Sequence, residues 1–507
     1  MSNSIAIINR DGYVFNKKYA SKELLELIKN ELIVKPELDN DYKTPESFKI
    51  YTEDTVNFYL PRDWAIENID IDPVIKFKFN KNSIYNFKFK GIIRNQQIDV
   101  IESLINIYYD HDTNRLKSYA GTIINVPTGM GKTVMAIWAI SFLKRKTIIF
   151  CHTSNLVIQW TERLEQYLET SKIGYIKGDK VNIKGCNIVI AMIQTVMTNK
   201  KDYKNLLKNF DFVIYDEVHH MACKVFSTIM RIIQTPYALG LSATLNRPDK
   251  LEKVFKWSIG PVGYKSEGSL DYDIDVRVYK YNTIDNPKFK MLANRYTKRV
   301  KISLMMTNLT EIETRNNMIV KIIQDVFTES PNRHLVLISN RIQHLQTLKE
   351  LLQVIFPDQV ALYIGKMTPA ELKIAETKKI ILASYNLMQE GVDIKTLDTV
   401  ILATPQSRII QSCGRILRKL KKDYEYNPLI IDITDQLGLF NSMARKRMTE
   451  YNMKYLKSDK STLKYYKCSN ETNYEIKFEN SVNLHKKIEE KVFAKDHDFF
   501  NSDSDTE

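Results

Sequence analysis

Residues 126–133 read VPTGMGKT, the most informative stretch of this chain. An apolar run at residues 122–125 precedes it and is typical of a buried β-strand, and apolar residues recur at helical spacing over residues 134–144. Between a strand and a helix, such a loop is typical of a phosphate cradle, because its glycines let backbone N–H groups turn toward phosphate oxygens. The stretch therefore predicts a nucleotide site, with Lys132 on the β- and γ-phosphates and Thr133 on Mg²⁺.

The loop alone leaves one alternative, an ordinary glycine-rich turn, because Val126 stands where the strict pattern has glycine. Residues 212–219 (FVIYDEVH) argue for the nucleotide site. There an apolar strand delivers Asp216 and Glu217 to the edge of a sheet, where ligands bind in α/β folds. Asp216 is expected to hold Mg²⁺, and Glu217 to orient and deprotonate the attacking water.

A hydroxyl-bearing tripeptide, SAT at residues 242–244, follows the next predicted strand. Ser242 and Thr244 are expected to hydrogen-bond His219 and to relay the state of the nucleotide to the second half of the chain. The tripeptide alone is a weak signal, but its place after the DEVH stretch makes it useful.

A further motif, QSCGRILR at residues 411–418, places Arg415 and Arg418 three positions apart, on one face of a helix. We expect both arginines to neutralise charge on the γ-phosphate, as arginine fingers do. The alternative is a solvated basic helix, since lysines follow. The Q-x-x-G-R-x-x-R spacing favours the catalytic interpretation.

The composition is that of a globular protein with excess positive charge. The 507 residues include 74 Lys and Arg against 60 Asp and Glu, a net charge of +14. This excess suits nucleic acid as a partner, and codon bias is the alternative. The five cysteines form no C-x-x-C pair, which favours a reducing compartment over disulfides or structural zinc. Since no apolar run approaches the ~20 residues of a membrane span, we expect a soluble intracellular protein with no membrane contact.

The pattern of strands and helices divides the chain into four segments. Alternating strands and helices predict an α/β fold with two parallel-sheet domains in series. The predicted segments are an α+β accessory domain (1–90), a first α/β domain (91–262), a second α/β domain (263–455) and a C-terminal extension with a disordered acidic tail (456–507). The predicted strands of the two α/β domains are 122–125, 147–150, 188–190, 212–215, 238–241, 334–338, 379–383, 399–402 and 429–433.

Within the first segment, residues 22–31 predict an amphipathic helix. Residues 75–79 and 85–90 alternate aromatic residues with lysines, which predicts a hairpin with a buried aromatic face. Its lysine face is expected to be solvated, with a nucleic-acid contact as the alternative.

Taken together, the motifs resemble those of the superfamily 2 helicases over residues 91–440. Residues 94–97 (RNQQ), 152–160 (HTSNLVIQW), 194–195 (QT), 337–341 (LISNR) and 384–393 (SYNLMQEGVD) add to the match. The resemblance implies two tandem RecA-like P-loop domains that hydrolyse ATP with Mg²⁺. The implied nucleotide-binding residues are Arg94, Gln97, Pro127, Thr128, Gly129, Met130, Gly131, Lys132, Thr133, Asp216, Gly391 and Asp393. The implied catalytic set is Glu217, Gln411, Arg415 and Arg418. The implied nucleic-acid contacts are His152, Thr153, Gln159, Thr195, Asn340, Arg341 and Ser384.

Within the superfamily, the chain is similar to the repair-type helicases and to a group from large cytoplasmic DNA viruses, which includes the poxvirus transcript-release helicase. Short matches at residues 32–36, 48–51 and 60–62 extend that likeness to the N-terminal segment. The resemblance implies a role in viral transcription termination or transcript release. RNA polymerase or other transcription factors are then the expected partners, and the cytoplasmic replication sites and the virion the expected locations.

Three other functions stay open. A restriction–modification translocase uses the same motor, but no domain-sized block is left here for a nuclease or methylase. A translocase that moves on double-stranded DNA without separating the strands is the second. A non-enzymatic scaffold that binds polymerase is the third, and the catalytic residues argue against it. DNA is favoured over RNA as the nucleic acid, whether single- or double-stranded.

Overall fold

The computed structural model describes residues 5–37, 46–77, 79, 84–127, 129–169, 171–198, 203–221, 223, 226–245, 247, 249–266, 272–284, 286–389, 394–407, 409–417, 419, 421–469 and 475–481. The chain divides into two compact units, residues 1–266 and 267–507, which are described separately. The predicted domain boundaries at 90, 262 and 455 stay predictions.

The first unit begins with a small mixed sheet. The elements are β1 (Ala6–Asn9), β2 (Gly12–Asn16), a 3-10 helix (Lys17–Tyr19), α1 (Lys22–Leu32), β3 (Ile33–Val34), β4 (Phe48–Lys49), β5 (Thr52–Glu53), β6 (Asn57–Leu60), α2 (Arg62–Asn68) and β7 (Val74–Ile75). Five strands form the sheet, in the order β5-β6-β2-β1-β7. The helix predicted at 22–31 is confirmed as α1, which begins where Ser21 Oγ accepts a hydrogen bond from Leu24 N at 3.1 Å.

The larger sheet of the first unit is mostly parallel. The elements are β8 (Lys88–Phe89), α3 (Asn95–Tyr108), β9 (Tyr109–Asp110), β10 (Arg115–Leu116), β11 (Ala120–Asn125), α4 (Lys132–Leu143), β12 (Thr147–Cys151), α5 (Ser154–Tyr167), β13 (Leu168–Glu169), β14 (Ile173–Lys177), β15 (Lys180–Asn182), β16 (Ile188–Met192), α6 (Ile193–Thr198), α7 (Lys204–Leu207), β17 (Phe212–Tyr215), a 3-10 helix (Val218–Met221), α8 (Ser227–Ile232), β18 (Tyr237–Ser242), α9 (Glu252–Ile259) and β19 (Val262–Lys265). Eight strands lie in the order β15-β14-β16-β12-β17-β18-β11-β19.

The five strands predicted in this region are confirmed as β11, β12, β16, β17 and β18. Every residue of β12 and of β17 is buried, because helices cover both faces of a parallel sheet. Parallel strands end at one edge of a sheet, so the loops after β11, β17 and β18 lie close together. That edge is where the predicted nucleotide residues fall.

The hairpin predicted from residues 75–79 and 85–90 is wrong. β7 pairs with β1 in parallel, and β8 pairs with β13 in antiparallel fashion. The aromatic side chains are nevertheless inward, since Phe87 is 3% exposed and Phe89 stacks on Tyr167 with ring centroids 6.3 Å apart. Lys76, Lys88 and Lys90 are exposed, as expected of a solvated face, and Lys78 lies outside the described residues. The alternation of aromatic residues and lysines predicts which side chains face inward, but it does not predict which strand pairs with which.

The N-terminal segment is joined to the larger sheet by a buried cation. Arg62, at the start of α2, is 2% exposed and donates to Ile259 O at 3.1 Å and to Thr235 O at 3.4 Å. A Cβ built on Gly121 would lie 1.8 Å from Ile259 O, so glycine there permits the close approach of α9 to β11. The two sheets of the first unit therefore share one core.

The second unit is built on another mostly parallel sheet. The elements are β20 (Asp275–Tyr281), α10 (Ile302–Thr310), α11 (Glu313–Glu329), β21 (Leu335–Ser339), α12 (Ile342–Ile355), β22 (Val360–Tyr363), α13 (Pro369–Glu376), β23 (Ile380–Ser384), α14 (Tyr385–Gln389), β24 (Thr399–Leu402), α15 (Ile410–Cys413), two 3-10 helices (Gly414–Ile416 and Lys421–Asp423), β25 (Leu429–Asp435), α16 (Leu439–Glu450), a π-helical turn (Tyr451–Tyr455), β26 (Thr462–Ser469) and β27 (Glu475–Ser481). The sheet order is β22-β23-β21-β24-β25-β20-β26-β27.

The four strands predicted in the second unit are confirmed as β21, β23, β24 and β25, whereas β20 and β22 were not predicted. The segment after residue 455, for which no regular structure was predicted, adds two strands to the sheet. β26 runs parallel to β20, with Asp275 opposite Thr462 and Tyr281 opposite Cys468. The acidic tail, residues 496–507, lies outside the described residues. Each unit is thus an α/β structure on a largely parallel sheet.

Candidate nucleotide site

The loop after β11 has the backbone that a phosphate cradle requires. Gly129 and Gly131 have φ angles of 92° and 82°, a region that strains any residue with a Cβ. Gly131 is the N-terminal cap of α4, whose first residue is Lys132, so the N–H groups of a helix start adjoin the loop. Lys132 Nζ lies 3.4 Å from Val126 O, across the loop. Thr128 lies outside the described residues.

Gln97 braces this loop from α3. Its side chain is 2% exposed, its Nε2 donates to Met130 O at 2.8 Å, and its Oε1 accepts from Arg94 N at 3.0 Å. A Cβ built on Gly131 would lie 2.4 Å from Gln97 Nε2, so a larger residue there would displace this amide in addition to straining the backbone. Because both ends of the amide contact backbone, Gln97 positions the loop; its contact with adenine stays a prediction.

The two predicted carboxylates follow β17 at the same edge of the sheet. Asp216 is 6% exposed, and its Oδ1 accepts from the backbone N–H of Glu217 at 3.0 Å. Burial, together with the adjacent charge of Glu217, raises the pKa of Asp216 to about 6. Glu217 has a φ of 48°, a left-handed backbone that non-glycine residues adopt mainly at functional sites and turns.

Trp160, on α5, is the partner of Asp216 that the motif analysis did not identify. Its indole is 1% exposed, and its Nε1–H donates to Asp216 Oδ2 at 2.8 Å. A buried indole N–H usually needs a hydrogen-bond acceptor, so the tryptophan itself was the only signal in the sequence that such an acceptor exists. That acceptor lies 56 positions along the chain, so no local pattern identifies it.

The oxygen atoms at this edge suit Mg²⁺. Mg²⁺ prefers hard oxygen ligands and commonly takes one or two carboxylates together with substrate phosphates and water. Each carboxylate oxygen of Asp216 accepts one hydrogen bond, which leaves lone pairs for a cation or its water. Thr133, in the first turn of α4, supplies the hydroxyl that the sequence predicts. The residues present therefore fit the ion.

His219 connects Glu217 to the loop after β18. Its Nδ1 lies 2.9 Å from Ser242 Oγ and 3.4 Å from Glu217 Oε2. Ser242 Oγ donates to Thr244 O at 2.7 Å and accepts from Thr244 N at 3.2 Å. The contact predicted between His219 and Ser242 is thus present. Thr244, which was also predicted to bond His219, instead hydrogen-bonds the Ser242 hydroxyl through its backbone.

Three histidine rings lie in a row beside Glu217. His220 lies between His152 and His219, with ring centroids 4.2 Å from each neighbour. Burial lowers the pKa of all three imidazoles to about 4, so the row is neutral at pH 7. Within the described part of the chain, neither ring nitrogen of His152 has a hydrogen-bond partner. His220 has no place in the motifs, and the sequence analysis missed it.

The other predicted nucleic-acid residues of the first unit lie around α5 and α6. Thr153 caps α5, where its hydroxyl accepts from Leu156 N at 3.4 Å. Gln159 is half-buried on that helix. Thr195 is 8% exposed, and its Oγ1 accepts from Gly178 N at 2.9 Å. Their contacts with nucleic acid, like that of His152, stay predictions.

In the second unit, Asn340 and Arg341 follow β21, and Ser384 ends β23 at the same edge of the sheet. Arg341 is committed to the protein: its Nε donates to Thr307 Oγ1 at 3.0 Å, and its NH2 group donates to Ser303 O at 2.8 Å. Asn340 N donates to Thr404 Oγ1 at 3.0 Å. Arg341 therefore anchors α10, and its contact with nucleic acid stays a prediction.

The spacing of residues 411–418 predicted a single α-helix, and this prediction is wrong. α15 ends at Cys413, and a 3-10 helix covers Gly414–Ile416. Arg415 is 7% exposed, and its Nε donates to Met388 O at 2.8 Å, which excludes the solvated basic helix for this residue. The tighter turn arises where the buried Gly414 ends the α-helical run. Gly391, Asp393, Arg418 and the side chain of Gln411 lie outside the described residues.

None of the helices in the described part of the chain combines the length and the apolar character needed to cross a bilayer.

Comparison with known proteins identifies the family. The family described as the res subunit of type III restriction enzymes matches residues 90–247. A candidate ATP-dependent RNA helicase of Acanthamoeba polyphaga mimivirus is 32% identical over 447 residues, which cover 86% of this chain and 83% of the relative. A DNA 3'-5' translocase of Sulfurisphaera tokodaii is 25% identical over 370 residues, covering 66% of this chain and 81% of the relative.

Among solved structures, a fragment of a candidate HsdR subunit of a type I restriction enzyme from Vibrio vulnificus YJ016 shares the fold. The TM-score is 0.50 at 17% identity, and the match covers 76% of this chain and 73% of that chain. At this identity the likeness concerns the fold alone, and it agrees with tandem RecA-like α/β units. With the extent of the mimiviral match and the geometry around Lys132, Asp216 and Glu217, it follows that this chain belongs to the superfamily 2 helicases, which are ATP hydrolases stimulated by nucleic acid.

Proposed function

We propose that this chain couples ATP hydrolysis to stepwise movement along nucleic acid, with DNA favoured over RNA. The proposal rests on one observation: a lysine that follows a glycine loop and a pair of carboxylates lie at the same edge of the larger sheet of the first unit. Lys132 follows Gly131 at the end of β11's loop, and Asp216 and Glu217 follow β17. His219 and Ser242 connect Glu217 to the next loop.

Each of these residues has a role in phosphoryl transfer. Lys132 pairs with the β- and γ-phosphates of ATP, and the loop N–H groups hold the phosphate oxygens. Thr133 and Asp216 hold Mg²⁺, which neutralises charge on the phosphates when it is bound. Glu217 orients the attacking water and accepts its proton. Gln97 keeps the loop in the conformation that binds phosphate, and Arg94 and Gln97 adjoin the adenine.

The second unit contributes to hydrolysis and to binding in this proposal. Arg415 and Arg418 act on the γ-phosphate, with Gln411 beside the attacking water, and Gly391 and Asp393 adjoin the nucleotide. Nucleic acid is held mainly through its phosphates. The proposed contacts are His152, Thr153, Gln159, Thr195, Asn340, Arg341 and Ser384.

The finer biological role is transcript release or transcription termination in a virus, with RNA polymerase or other transcription factors as partners. The support is the likeness to a mimiviral protein and the short N-terminal matches named above. The scaffold alternative is disfavoured, because a protein that only binds polymerase does not need Lys132 in a glycine loop at the same sheet edge as Asp216 and Glu217. We infer that such a protein acts inside the infected cell.

An ATPase assay tests the proposal. Hydrolysis is measured alone and with single-stranded DNA, double-stranded DNA and RNA, for the wild type and for Lys132→Ala and Glu217→Gln. We expect both variants to lose the stimulated hydrolysis, and Glu217→Gln to keep ATP binding because Asp216 still holds the metal. Lys29→Ala and Glu26→Gln, both exposed on α1, are the controls. Normal turnover in either site variant would remove the catalytic assignment.

A second candidate function is translocation on double-stranded DNA without strand separation. The likeness to a DNA translocase of Sulfurisphaera tokodaii favours it. Displacement of a third strand from a triplex, without unwinding of a forked duplex, would identify this activity. Unwinding of the fork would identify a helicase.

A further inference from the structure

A short hairpin lies between β20 and α10 in the second unit, and it belongs to none of the motifs. We call residues 292–301 the basic hairpin. Ala293 and Val300 form an antiparallel bridge, and Lys301 N donates to Leu292 O at 2.8 Å. Asn294 N donates to Arg299 O at 2.7 Å. The two ends of the hairpin are therefore joined by backbone hydrogen bonds.

The turn of the basic hairpin is stabilised by its own residues. Asn294 Oδ1 accepts hydrogen bonds from Tyr296 N at 2.9 Å and from Thr297 N at 3.1 Å. Lys298 N donates to Asn294 O at 2.9 Å, and Lys298 has a φ of 57°. An asparagine that bonds backbone N–H groups two and three positions ahead defines a tight turn. The tip thus has a defined conformation.

The base of the basic hairpin is fixed to the core of the second unit. Phe289, just before it, is 8% exposed and meets Tyr281 edge to face, with ring centroids 5.6 Å apart. Leu292 and Val300 pack against the same core. A fixed base and a bonded turn hold the backbone of the tip in one conformation, so less backbone freedom is lost when a ligand binds there.

The tip presents an aromatic ring and positive charges. Tyr296 is 90% exposed, more than any other tyrosine in the part of the chain that the structure describes. The exposed cations of residues 286–301 are Lys288, Lys290, Arg295, Lys298, Arg299 and Lys301, and the sequence has no Asp or Glu between those bounds. Such a combination is typical of surfaces that bind single-stranded nucleic acid, where bases stack on aromatic rings and cations contact phosphates.

The position of the hairpin agrees with such a ligand. It follows the carboxyl end of β20, and β21, β23 and β24 end at the same edge of the sheet. α10, which directly follows the hairpin, is anchored by Arg341 through Ser303 and Thr307. The base of the hairpin therefore lies near Arg341, one of the residues predicted to contact the strand, and the hairpin adds exposed cations beside it.

We propose that the basic hairpin binds single-stranded nucleic acid, with Tyr296 stacked on a base and Arg295 and Lys298 on neighbouring phosphates. This inference rests on the proposed function, because it takes nucleic acid as the ligand. It adds a binding site that the motifs do not contain. A protein partner at the tip is the other outcome that the test distinguishes.

The first test is the affinity of the nucleotide-free protein for a fluorescein-labelled deoxythymidine strand of about 20 nucleotides. Tyr296→Ala is expected to weaken binding about 5- to 100-fold, since stacking on one aromatic ring is worth that much. Tyr296→Phe is expected to bind as the wild type does, and Tyr296→Leu as weakly as Tyr296→Ala. Phe478→Ala is the control, because Phe478 is 59% exposed in the same unit.

The second test concerns the charges. Arg295→Gln is expected to weaken binding and to reduce the slope of log affinity against log salt by about 0.7, the value of one phosphate contact on a single strand. Lys373→Gln, which removes one exposed charge from α13, is expected to change neither quantity. An equal effect of the two variants would mean that overall charge, and not the hairpin, binds the strand.

A spectroscopic readout reports on stacking directly. In Tyr296→Trp, indole fluorescence is expected to be quenched when the strand is added, whereas Phe478→Trp shows no additional quenching. Wild-type affinity in Tyr296→Ala and Arg295→Gln would overturn this inference, and it would leave the hairpin to a protein partner. A different result would contradict the proposed function: ATP hydrolysis by the wild type that nucleic acid does not stimulate, or stimulated hydrolysis that Glu217→Gln retains.

Discussion

Asp216 shows how one buried carboxylate depends on a neighbour that lies far away in sequence. Removing a carboxylate from water is costly unless hydrogen bonds compensate. Trp160 Nε1 and the N–H of Glu217 supply one donor to each oxygen. Hydrogen bonds to the charged form favour it, while burial and Glu217 oppose it. The indole therefore favours the ionised form of Asp216, which is the form that the proposed Mg²⁺ site requires.

Removal of that donor gives a prediction. Trp160→Phe keeps an aromatic ring in the core but leaves Asp216 Oδ2 without the indole N–H. We expect the free energy of unfolding to fall by about 1–3 kcal/mol, the cost of losing a buried hydrogen-bond partner. We also expect a higher Mg²⁺ concentration for half-maximal ATPase. Trp138→Phe, on α4, is the control, and an unchanged Mg²⁺ requirement in Trp160→Phe would show that the indole does not act on the metal site.

His344 gives a pH dependence of stability. It is 1% exposed, between Ser339 Oγ and Asn316 Oδ1, each 3.0 Å away. Burial lowers its pKa to about 3, from an ordinary value of 6.5. The unfolded chain therefore binds a proton below pH 6.5 that the folded chain does not bind until about pH 3. Stability from this group is complete above pH 6.5 and is lost as the pH falls through that range.

We expect the wild type to lose about 2 kcal/mol of unfolding free energy from His344 between pH 7 and pH 5. Urea titrations at the two pH values measure it. His344→Gln, which does not titrate, should show a correspondingly smaller loss, although its stability at pH 7 is lower. An identical pH dependence in the two proteins would contradict the assignment. The lowered pKa values of the three histidines beside Glu217 act in the same direction and the raised pKa of Asp216 acts in the opposite direction, so only the difference between the wild type and His344→Gln reports on His344.

At the scale of elements, an ion pair joins α11 to the end of β25. Arg315 and Asp435 are both fully buried, and they form two hydrogen bonds, of 2.7 and 2.9 Å. Arg315 also donates to Ala403 O at 2.8 Å, after β24. One guanidinium thus connects a helix with two strands at the edge where the predicted motifs lie. The pair aligns α11, although its net contribution to stability is small because both charges are desolvated.

Breaking that pair gives the element-scale prediction. Asp435→Asn keeps the shape of the side chain but leaves Arg315 as an uncompensated buried charge. We expect a loss of about 3–5 kcal/mol in unfolding free energy, against less than that for the double variant Arg315→Met/Asp435→Leu. Lys321→Ala, which breaks an exposed pair with Asp325 on the same helix, should cost at most about 1 kcal/mol. If Asp435→Asn costs no more than Lys321→Ala, the buried pair does not align α11.

At the scale of the whole molecule, the proposed mechanism assigns nucleotide binding to the first unit and assistance from Arg415 to the second. Arg415 belongs to the second unit, where its Nε bonds to Met388 O. The proposed action of Arg415 on the γ-phosphate requires closure of the two units, so its effect should appear in the transition state and not in the resting enzyme. That distinction separates a finger from a strand-binding residue.

We therefore expect Arg415→Ala and Arg415→Lys to lower kcat for ATP without weakening the binding of single-stranded DNA in the absence of nucleotide. A finger is typically worth on the order of 10³–10⁵ in rate, and we expect less here because Arg418 shares the charge. Arg415→Lys is expected to lower kcat as well, because the ammonium group on a flexible side chain cannot reproduce the planar guanidinium. The thermal midpoint of each variant serves as the control for loss of packing. Unchanged kcat with weaker DNA binding would make this turn a strand-binding surface.

The sequence by itself determined the glycine loop before α4, the strands that frame it and the position of Asp216 and Glu217 after β17. These are local features: an apolar run, a Gly-Lys-Thr spacing and a pair of acids are each readable within a few positions. The same holds for α1, with its serine cap. A phosphate cradle uses backbone N–H groups at one turn, so the residues of a predicted cradle are neighbours in the chain and can be recognised from the sequence.

Only the tertiary structure decided which elements meet. β7 and β8 follow one another in sequence but pair with β1 and β13, and Trp160 finds its acceptor 56 positions away. The proposal for the basic hairpin likewise depends on the position of the hairpin in the second unit and on the exposure of Tyr296, and neither can be read from the sequence. Such contacts follow from the packing of the whole unit, in which several partners are compatible with one local pattern. Their choice depends on the total burial and hydrogen bonding of the fold, which no short stretch of sequence contains.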